Sequence, residues 1–566
     1  MMNHRLTASI LLTLLAAPCL WATTAAANAP AHPAGYNDSG VELNRTRQYL
    51  ERQRIARKIQ EGRNTQPVEG AEGPEEAQKG AVHFLLKQVE LPESQVLSQE
   101  ELQKITGAYE GKDATLDDLY ALVGKINALY QEKGYLTCRA FLAPQTIRDG
   151  RVKIDLVEGK NGQVEVVGNR STREKYITDR LHIEPGQISS MHRLNKDLLR
   201  FNATNDAQLR IALKAGKEPG TTDYVIAVQE PQKQVTGVFF DNAGSKTSGL
   251  YRAGLFWQDR DLSGNRDHLF LSTIRSEGMK AVAGSYSTPI NRTGTRAGLS
   301  YSTNSVHITD GPFEALGVRG HSYVATAFLV SPIETTERKK SEWGFEYGHQ
   351  RSQTDFGTSL GLRTHWVDDT VDTGLLYYDQ LNYGDSSVLY QKHGYRVGRY
   401  KDLYDNHRNF GKYEFNGLYQ KAYKAGQQWT FRLDGQLSST QYLPSSEMFY
   451  LGGMYSVRGY TESLIGGDGG FSASAEYSVP LDKERKVNGY LFLDGGRIWG
   501  SSAFGDRSLM GAGVGIKADL TEKISLNVAL GIPLQRTING AEQRPGTDPF
   551  HRQRTVLKEG SHECLV

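Results

Sequence analysis

From position 232 to the end of the chain, apolar and polar residues alternate in segments of about ten, separated by turn residues, and a period of two predicts β-strands. In 250–257, Tyr251, Ala253, Leu255 and Trp257 share one face and Arg252 takes the other. Trp429, Phe431, Leu433 and Leu437 oppose Thr430, Arg432, Asp434 and Gln436. Phe471, Ala473, Ala475, Tyr477 and Val479 oppose Ser472, Ser474, Glu476 and Ser478, and Leu526, Val528, Leu530 and Ile532 oppose Ser525, Asn527 and Gly531. Aromatic-ended apolar faces set against charged ones fit a barrel with lipid outside and water inside. About 335 residues of such strands are too many for one sandwich, and at ~21 residues per strand and connection they make roughly 16 strands.

The first 231 residues read differently. Segment 39–62 is rich in helix formers, with a thin apolar stripe of Leu43, Leu50, Ile55 and Ile59 and seven basic residues from Arg45 to Arg63 against Glu51 and Glu61. A helix polar all round is either solvated or enclosed by a polar environment such as a water-filled lumen. Segment 63–80 has no periodicity and reads as a linker. Between 81 and 159 the pattern is strand 82–89, a helix opened by the capping box Ser98…Glu101, a second opened by Thr115…Asp118, then strands 135–142 and 151–157. The second helix carries Leu116, Leu119, Val123, Ile126 and Tyr130 on one face. The order recurs at 160–231, with a strand at 163–168, helices near 172–181 and 191–202, and strands at 208–215 and 223–229, so the chain holds two tandem copies of one small α+β module.

The ends and the cysteines set the compartment. Residues 1–29 have a charged start with Arg5, an apolar stretch to Trp21 and small residues beyond, the build of a removable secretory signal. Cys19 falls inside it, leaving Cys138 and Cys564, too few and too far apart for a disulfide framework, which suits a bacterial envelope. A formal net charge of +2 supplies no footprint for nucleic acid, and beyond the leader no apolar run reaches the ~18 residues of a membrane helix.

Enzyme motifs are missing from the sequence: there is no HExxH, phosphate loop, GxSxG elbow or paired CxxC, and Gly244-Ser-Lys-Thr247 reads as a hairpin turn. No catalytic residue, metal ligand or cofactor is therefore expected. Two segments stand out instead. Val457-Arg458-Gly459-Tyr460 follows a glycine-rich turn, and Phe492-Leu-Asp494-Gly-Gly496 places a carboxylate in a strand, on the same face as Tyr490 and Phe492. If that face is the lumen side, the acid requires a cation, and Arg458 is the natural candidate. The alternative is an exposed loop arginine and an unrelated strand aspartate.

Across about residues 36 to 534 the chain resembles the TpsB transporters of two-partner secretion, within the POTRA-containing outer-membrane assembly superfamily that includes haemolysin and haemagglutinin secretion proteins. Val457-Arg458-Gly459-Tyr460 is similar to that superfamily's signature at the tip of an inward-folded sixth loop, and Phe492, Asp494 and Gly496 to the strand motif that receives it. Tyr130…Tyr135 and Pro144-Gln145…Gly150 are similar to the first POTRA domain of the family, and Arg193-Leu194-Asn195 and 216–220 to the second. One departure is the end of the chain: family barrels usually finish on a strand with a terminal aromatic, whereas 539–566 is polar and contains two Pro.

The resemblance implies a signal peptide (1–29), a plug helix (39–62), a linker (63–80), POTRA domains at 81–159 and 160–231, and a transmembrane barrel of about 16 antiparallel strands from 232 to 566. It implies an outer-membrane pore, with its POTRA domains in the periplasm, that captures an unfolded exoprotein and exports it without nucleotide hydrolysis. Tyr135, Pro144 and Gln145 become candidate substrate-binding residues. The partners expected are a large secreted exoprotein of adhesin, haemolysin or contact-dependent toxin type, outer-membrane lipid, and the barrel assembly machinery and periplasmic chaperones for its own biogenesis. An assembly factor that inserts other barrels is the alternative, and a diffusion porin would leave both modules and the tetrad unexplained.

Overall fold

The computed structural model describes residues 38–61, 83–188, 190–311, 313–357, 363–501, 503, 507–521, 523–535, 537–538, 541–542 and 552–558. The expected leader, the linker 63–80 and Cys564 lie outside the described residues. The first element is helix α1 (Ser39–Glu61).

The first α+β module comprises β1 (Phe84–Leu86), β2 (Gln88–Glu90), α2 (Gln99–Thr106), β3 (Lys112–Ala114), α3 (Leu116–Glu132), β4 (Cys138–Phe141), β5 (Arg151–Lys153) and β6 (Asp155–Glu158). Two strands expected to be continuous, 82–89 and 151–157, are each broken in two, because their halves pair with different partners. β1 runs antiparallel to β3, β2 parallel to β5, and β4 antiparallel to β6. β3, three residues without alternation, was not foreseen. Both capping boxes form, Ser98 with Glu101 and Thr115 with Asp118. Hydrogen bonds from Lys133 and Ser98 hold the Glu101 carboxyl down to about 2. Leu119, Leu122, Ile126 and Tyr130 of α3 are buried in the core with Cys138, whose thiol burial pushes up to about 11. That cysteine is a core hydrophobe, with almost no thiolate to react.

The second module comprises β7 (Lys160–Val167), α4 (Glu174–Thr178), α5 (Met191–Thr204), β8 (Gln208–Ala215) and β9 (Thr221–Gln229), with sheet order β7-β9-β8. α4 is shorter than the 172–181 expected. The module is fixed to the next domain by ion pairs and hydrogen bonds. The guanidinium of Arg266, fully buried, is held by Asp206, which follows α5, and by Asp261 at 3.3 Å. Arg173 N–H donates to the Gly264 carbonyl at 2.9 Å, and Arg180 donates to the Asn291 carbonyl at 3.0 Å.

The barrel strands are β10 (Gln234–Asp241), β11 (Arg252–Asp259), β12 (His268–Arg275), β13 (Met279–Pro289), β14 (Arg296–His307), β15 (Arg319–Thr335), β16 (Lys339–Gly357), β17 (Arg363–Gly384), β18 (Ser387–Lys401), β19 (His407–Ala422) and β20 (Gln428–Ser438). A small hairpin, β21 (Phe449–Leu451) and β22 (Ile465–Gly467), precedes β23 (Gly469–Pro480), β24 (Val487–Trp499), β25 (Ser508–Thr521) and β26 (Ile524–Pro533). A second small hairpin, β27 (Thr537–Ile538) and β28 (Ala541–Glu542), leads to β29 (Arg552–Lys558).

Among the described residues, β10 to β20, β23 to β26 and β29 close a barrel of 16 strands, all antiparallel. Closure comes from inside the polar C-terminal stretch: β29 pairs with β26 and, from Val238↔Lys558 to Asp241↔Thr555, with β10. The alternation read from the sequence sorts the faces. Leu491 and Leu493 are exposed on the outer surface of β24, while Tyr490, Phe492 and Asp494 between them are buried inside. Phe431, Leu433, Leu437, Phe471, Leu530 and Ile532 are likewise exposed apolar residues, as lipid contact requires.

Candidate functional site: the sixth loop and the lumen helix

Strand β10 starts next to the second module, so successive turns between barrel strands alternate ends, the odd-numbered ones all fall at the far end, and residues 439–468, the eleventh turn, form the sixth loop there. That loop folds inward. Hairpin β21–β22, with Leu451 opposite Ile465, carries the tip into the lumen, where Leu451, Val457, Tyr460 and Ile465 pack against Ile498 and Leu509. Tyr460 fixes the descent by donating its hydroxyl to the Met510 carbonyl at 2.7 Å.

Arg458 lands on one cell of the barrel wall. Its Nε and Nη2 donate to the two Asp494 oxygens at 2.7 and 2.8 Å, and its backbone N–H donates to Asp494 Oδ2 at 3.1 Å. Strand register supplies the rest. On β23, Ser474 lies opposite Asp494 and Glu476 opposite Phe492, and on β25 Gly511 lies opposite Asp494. Nη1 donates to Glu476 at 3.0 Å, Nη2 to Ser474 at 3.2 Å, and the guanidinium carbon stands 3.6 Å above the Phe492 ring. Glu476 also accepts from Lys517 at 2.5 Å, and Arg432 of β20 lies opposite Ser474, so both carboxylates of the cell are met by cations.

Glycines make the approach possible. A Cβ on Gly511 would sit 2.2 Å from the Arg458 carbonyl oxygen, and one on Gly531 2.5 Å from Gly459 N. Gly459 itself has φ +100°, open to glycine and costly for other residues. Gly496 must be bare because a Cβ there would meet the Phe471 carbonyl at 2.6 Å and Leu451 at 2.7 Å.

The structure thus brings Val457, Arg458, Gly459, Tyr460, Phe492, Asp494 and Gly496 together. Glu476, Ser474, Lys517, Gly511 and Gly531 were not picked out from the sequence. Glu476 was visible only as one polar residue in an alternating strand. The POTRA candidates do not converge. Tyr135 packs at the edge of the first module's core, while Pro144 and Gln145 are exposed on a loop, the Gln145 side chain bonding both backbone groups of Lys153 at 2.6 and 2.8 Å.

Helix α1 runs through the lumen, and its 23 residues span about 35 Å. Its start lies near the end of β16 and its end near the start of that strand, so it runs from the loop end toward the POTRA end. Asp38 caps it, accepting from Val41 N–H at 2.8 Å and from Ser445 at 3.0 Å. Ser39 donates to the Gln353 carbonyl at 3.0 Å, Asn44 to the carbonyls of Ser446 and Met448, and Arg45 to that of Ala243 at 2.7 Å. Further down, the contacts are ion pairs, Arg47 with Glu447 of the sixth loop at 3.1 Å and then with the wall, Arg52 with Asp434 at 3.2 Å, Glu51 with Lys392 at 2.7 Å, Arg54 with Glu346 at 3.5 Å and Lys58 with Asp379 at 2.6 Å. Arg52 also bonds the Tyr455 carbonyl, so helix and loop touch. Its apolar stripe is used too, Ile55 and Ile59 packing against Leu381, Val388, Tyr390 and Leu418.

A 16-stranded barrel with a helix and a loop inside, preceded by two α+β modules, defines a POTRA-bearing outer-membrane transporter. The chain belongs to the haemolysin secretion/activation protein family ShlB/FhaC/HecB, whose family model matches residues 220–518; the ShlB-type POTRA domain model matches 84–159. It is a TpsB transporter of the outer membrane. The heme/hemopexin transporter protein HuxB of Haemophilus influenzae is 25% identical over 499 residues, covering 84% of this chain and 88% of its own. The outer membrane transporter CdiB of Escherichia coli is 22% identical over 470 residues, covering 77% of each chain. Among solved structures, CdiB from Escherichia coli superposes with a TM-score of 0.67 at 17% identity, covering 93% of this chain and 99% of its own, and CdiB from Acinetobacter baumannii with 0.64 at 18% over the same shares.

Proposed function

We propose that the protein captures an unfolded exoprotein in the periplasm through its POTRA pair and exports it through the barrel lumen to the cell surface without nucleotide hydrolysis. The observation that carries this reading is the lumen helix. α1 is held along its lower half chiefly by separate ion pairs whose members keep part of their surface exposed, each of which can be exchanged by itself. On this reading α1 is a reversible plug, Arg458 and Asp494 keep the sixth loop seated on the wall, and directionality comes from folding of the cargo outside, which removes it from the equilibrium. The cargo is a secreted partner of the kind that two-partner transporters serve, of adhesin, haemolysin or contact-dependent toxin type, and capture proceeds by addition of a strand to an exposed POTRA edge.

The test is a comparison of culture-supernatant and surface-shaved polypeptides between a gene-deletion strain and the same strain complemented with the wild-type gene. One large polypeptide should disappear on deletion and return on complementation, with other outer-membrane barrels at unchanged levels. A general fall in outer-membrane barrels with no specific loss would instead mark an insertion factor.

A further inference from the structure

The lumen has two unlike halves. Among the described residues, the ion pairs of Arg52, Arg54, Lys58 and Glu51 with the strands of the wall are with β16 to β20, through Glu342, Glu346, Asp379, Lys392 and Asp434. On its other side the first turn still touches β15, Ser322 donating to the Ser39 carbonyl at 3.0 Å, but further down a cavity of about 480 Å³ lies between the helix and β12 to β15, crossed by Arg57, whose guanidinium stands 5.8 Å from the centre of the Phe270 ring. Midway along the cavity the wall presents Ala283, Ser285, Ser300, Ser302, Val324 and Thr326, small residues without charge, whereas the charged residues of these strands that line it, Arg296 at the start of β14 and Glu334 at the end of β15, stand at its POTRA end. At its POTRA end the cavity is bordered by residues 203–206, the end of α5 and the loop after it, held against the barrel by the Asp206–Arg266 pair.

We propose that the leading segment of the exported polypeptide enters along the uncharged middle of this wall, as an extended strand between β12–β15 and the helix before α1 is released, while the charged half serves to hold α1. The inference rests on the export reading above and adds the track. A moving chain of mixed sequence must bind well enough to enter and weakly enough to leave. Fixed lumen charges would grip each opposite charge of the cargo, whereas hydroxyls and small apolar groups offer exchangeable hydrogen bonds and no such traps. Of the charges bordering the cavity, Glu342, Glu346 and Asp379 are taken by Arg54 and Lys58, Glu334 pairs with Lys339, and Arg296 donates to the carbonyls of Arg266 and Ser287. The mouth at 203–206 hands the chain directly from the second POTRA domain, with no gap to cross.

The experiment places the photo-crosslinking residue p-benzoylphenylalanine at Ser285, Ser300 or Thr326, and for comparison at Asn416 on the charged half, in the full-length transporter in cells. Adducts with the polypeptide whose export is lost on gene deletion are expected from the first three positions, and from Asn416 adducts with α1 only. Equal or greater cargo adduct from Asn416 while export persists overturns the track. A second arm needs no cargo. In a mature chain with Cys138 and Cys564 replaced by Ser, Ser300→Cys and Asn416→Cys are treated with a charged methanethiosulfonate reagent in planar bilayers. A loss of current at position 300 and none at 416 is expected, and the reverse overturns the proposal. Heat-modifiable migration on gels checks that each variant forms its barrel. If deletion removes no polypeptide from the surface or supernatant, the export reading itself fails, and that result is read separately from both arms.

Discussion

The guanidinium of Arg458 and the carboxylate of Asp494, 36 residues apart in sequence, meet through two parallel hydrogen bonds of 2.7 and 2.8 Å, with the Arg458 backbone N–H adding a third. The first two form a bidentate fork, which fixes orientation as well as distance, so the pair sets where the loop tip lies on the barrel wall.

Arg458→Ala should therefore reduce export far more than it reduces the amount of folded barrel in the membrane. It leaves Asp494 buried without a cation, at ~3–5 kcal/mol for a well-buried pair and less where lumen water reaches it. Arg458→Lys should recover only part of export, since an ammonium cannot span Asp494 and Glu476 as the planar fork does. Exchange of the pair, Arg458→Asp with Asp494→Arg, should recover little, because the new acid at 458 would face Glu476 and the electron-rich face of Phe492. Export assays read beside heat-modifiable migration separate function from folding, and native export by Arg458→Ala would remove the pair from the mechanism.

The two glycines of the receiving motif should behave oppositely. A Cβ on Gly496 collides with the Phe471 carbonyl at 2.6 Å and with Leu451 at the root of the loop hairpin, whereas one on Gly495 meets nothing nearer than 3.7 Å. Gly496→Ala should displace the loop at a cost of ~1–3 kcal/mol, the range of an overpacked core. Gly495→Ala should be silent. Protease sensitivity of the sixth loop in intact cells, with export measured in parallel, distinguishes the two; equal behaviour would contradict the packing described.

Much of this site was legible because its chemistry is local in sequence: Val457 to Tyr460 is one run, Phe492 to Gly496 another, and a lone strand acid demands a cation. Glu476 and Gly511 were not legible, because they join the cell through cross-strand register, which hairpin lengths set and composition does not display. The breaks at 87 and 154 in the first POTRA domain escaped for a related reason. An alternating run looks continuous even where its halves pair with different strands. β29 escaped because ladder hydrogen bonds are made by the main chain, so a segment without the usual terminal aromatic can still complete the barrel. Segment 39–62 was ambiguous by itself, since a polar helix suits water and a charged lumen equally; only the opposing charges on β16 to β20 decide it.

Deletion of residues 39–61 should raise steady single-channel conductance in planar bilayers, since the helix occupies the lumen. The double substitution Arg54→Gln with Lys58→Gln should instead raise the frequency of transient openings. It frees the lower half from Glu342, Glu346 and Asp379 while leaving the contacts of Asp38, Ser39 and Arg45 at the loop end. Conductance and noise unchanged in both variants would deny the helix any gating role.

Acid should loosen the seat of the second POTRA domain through Glu230. Its carboxylate accepts the backbone N–H groups of Ser171 and Thr172, each at 2.9 Å, where the turn before α4 meets the end of β9. Burial opposes its charge, but the donors from Thr172 and Ser171 outweigh that and hold the carboxyl down to about 2. A pKa depressed on folding contributes stability that is fully present above the unfolded value, ~4.3, and is lost as pH falls toward 2. With the group only partly screened from water, that contribution is ~1–2 kcal/mol. Limited proteolysis of the detergent-solubilised protein should show cleavage near 171–173 increasing between pH 4.5 and 3, and Glu230→Gln should show the same cleavage already at pH 7 with little further response to acid. A wild-type cleavage rate flat across that window, or a glutamine variant as resistant as wild type at pH 7, would mean that these hydrogen bonds do not hold the turn.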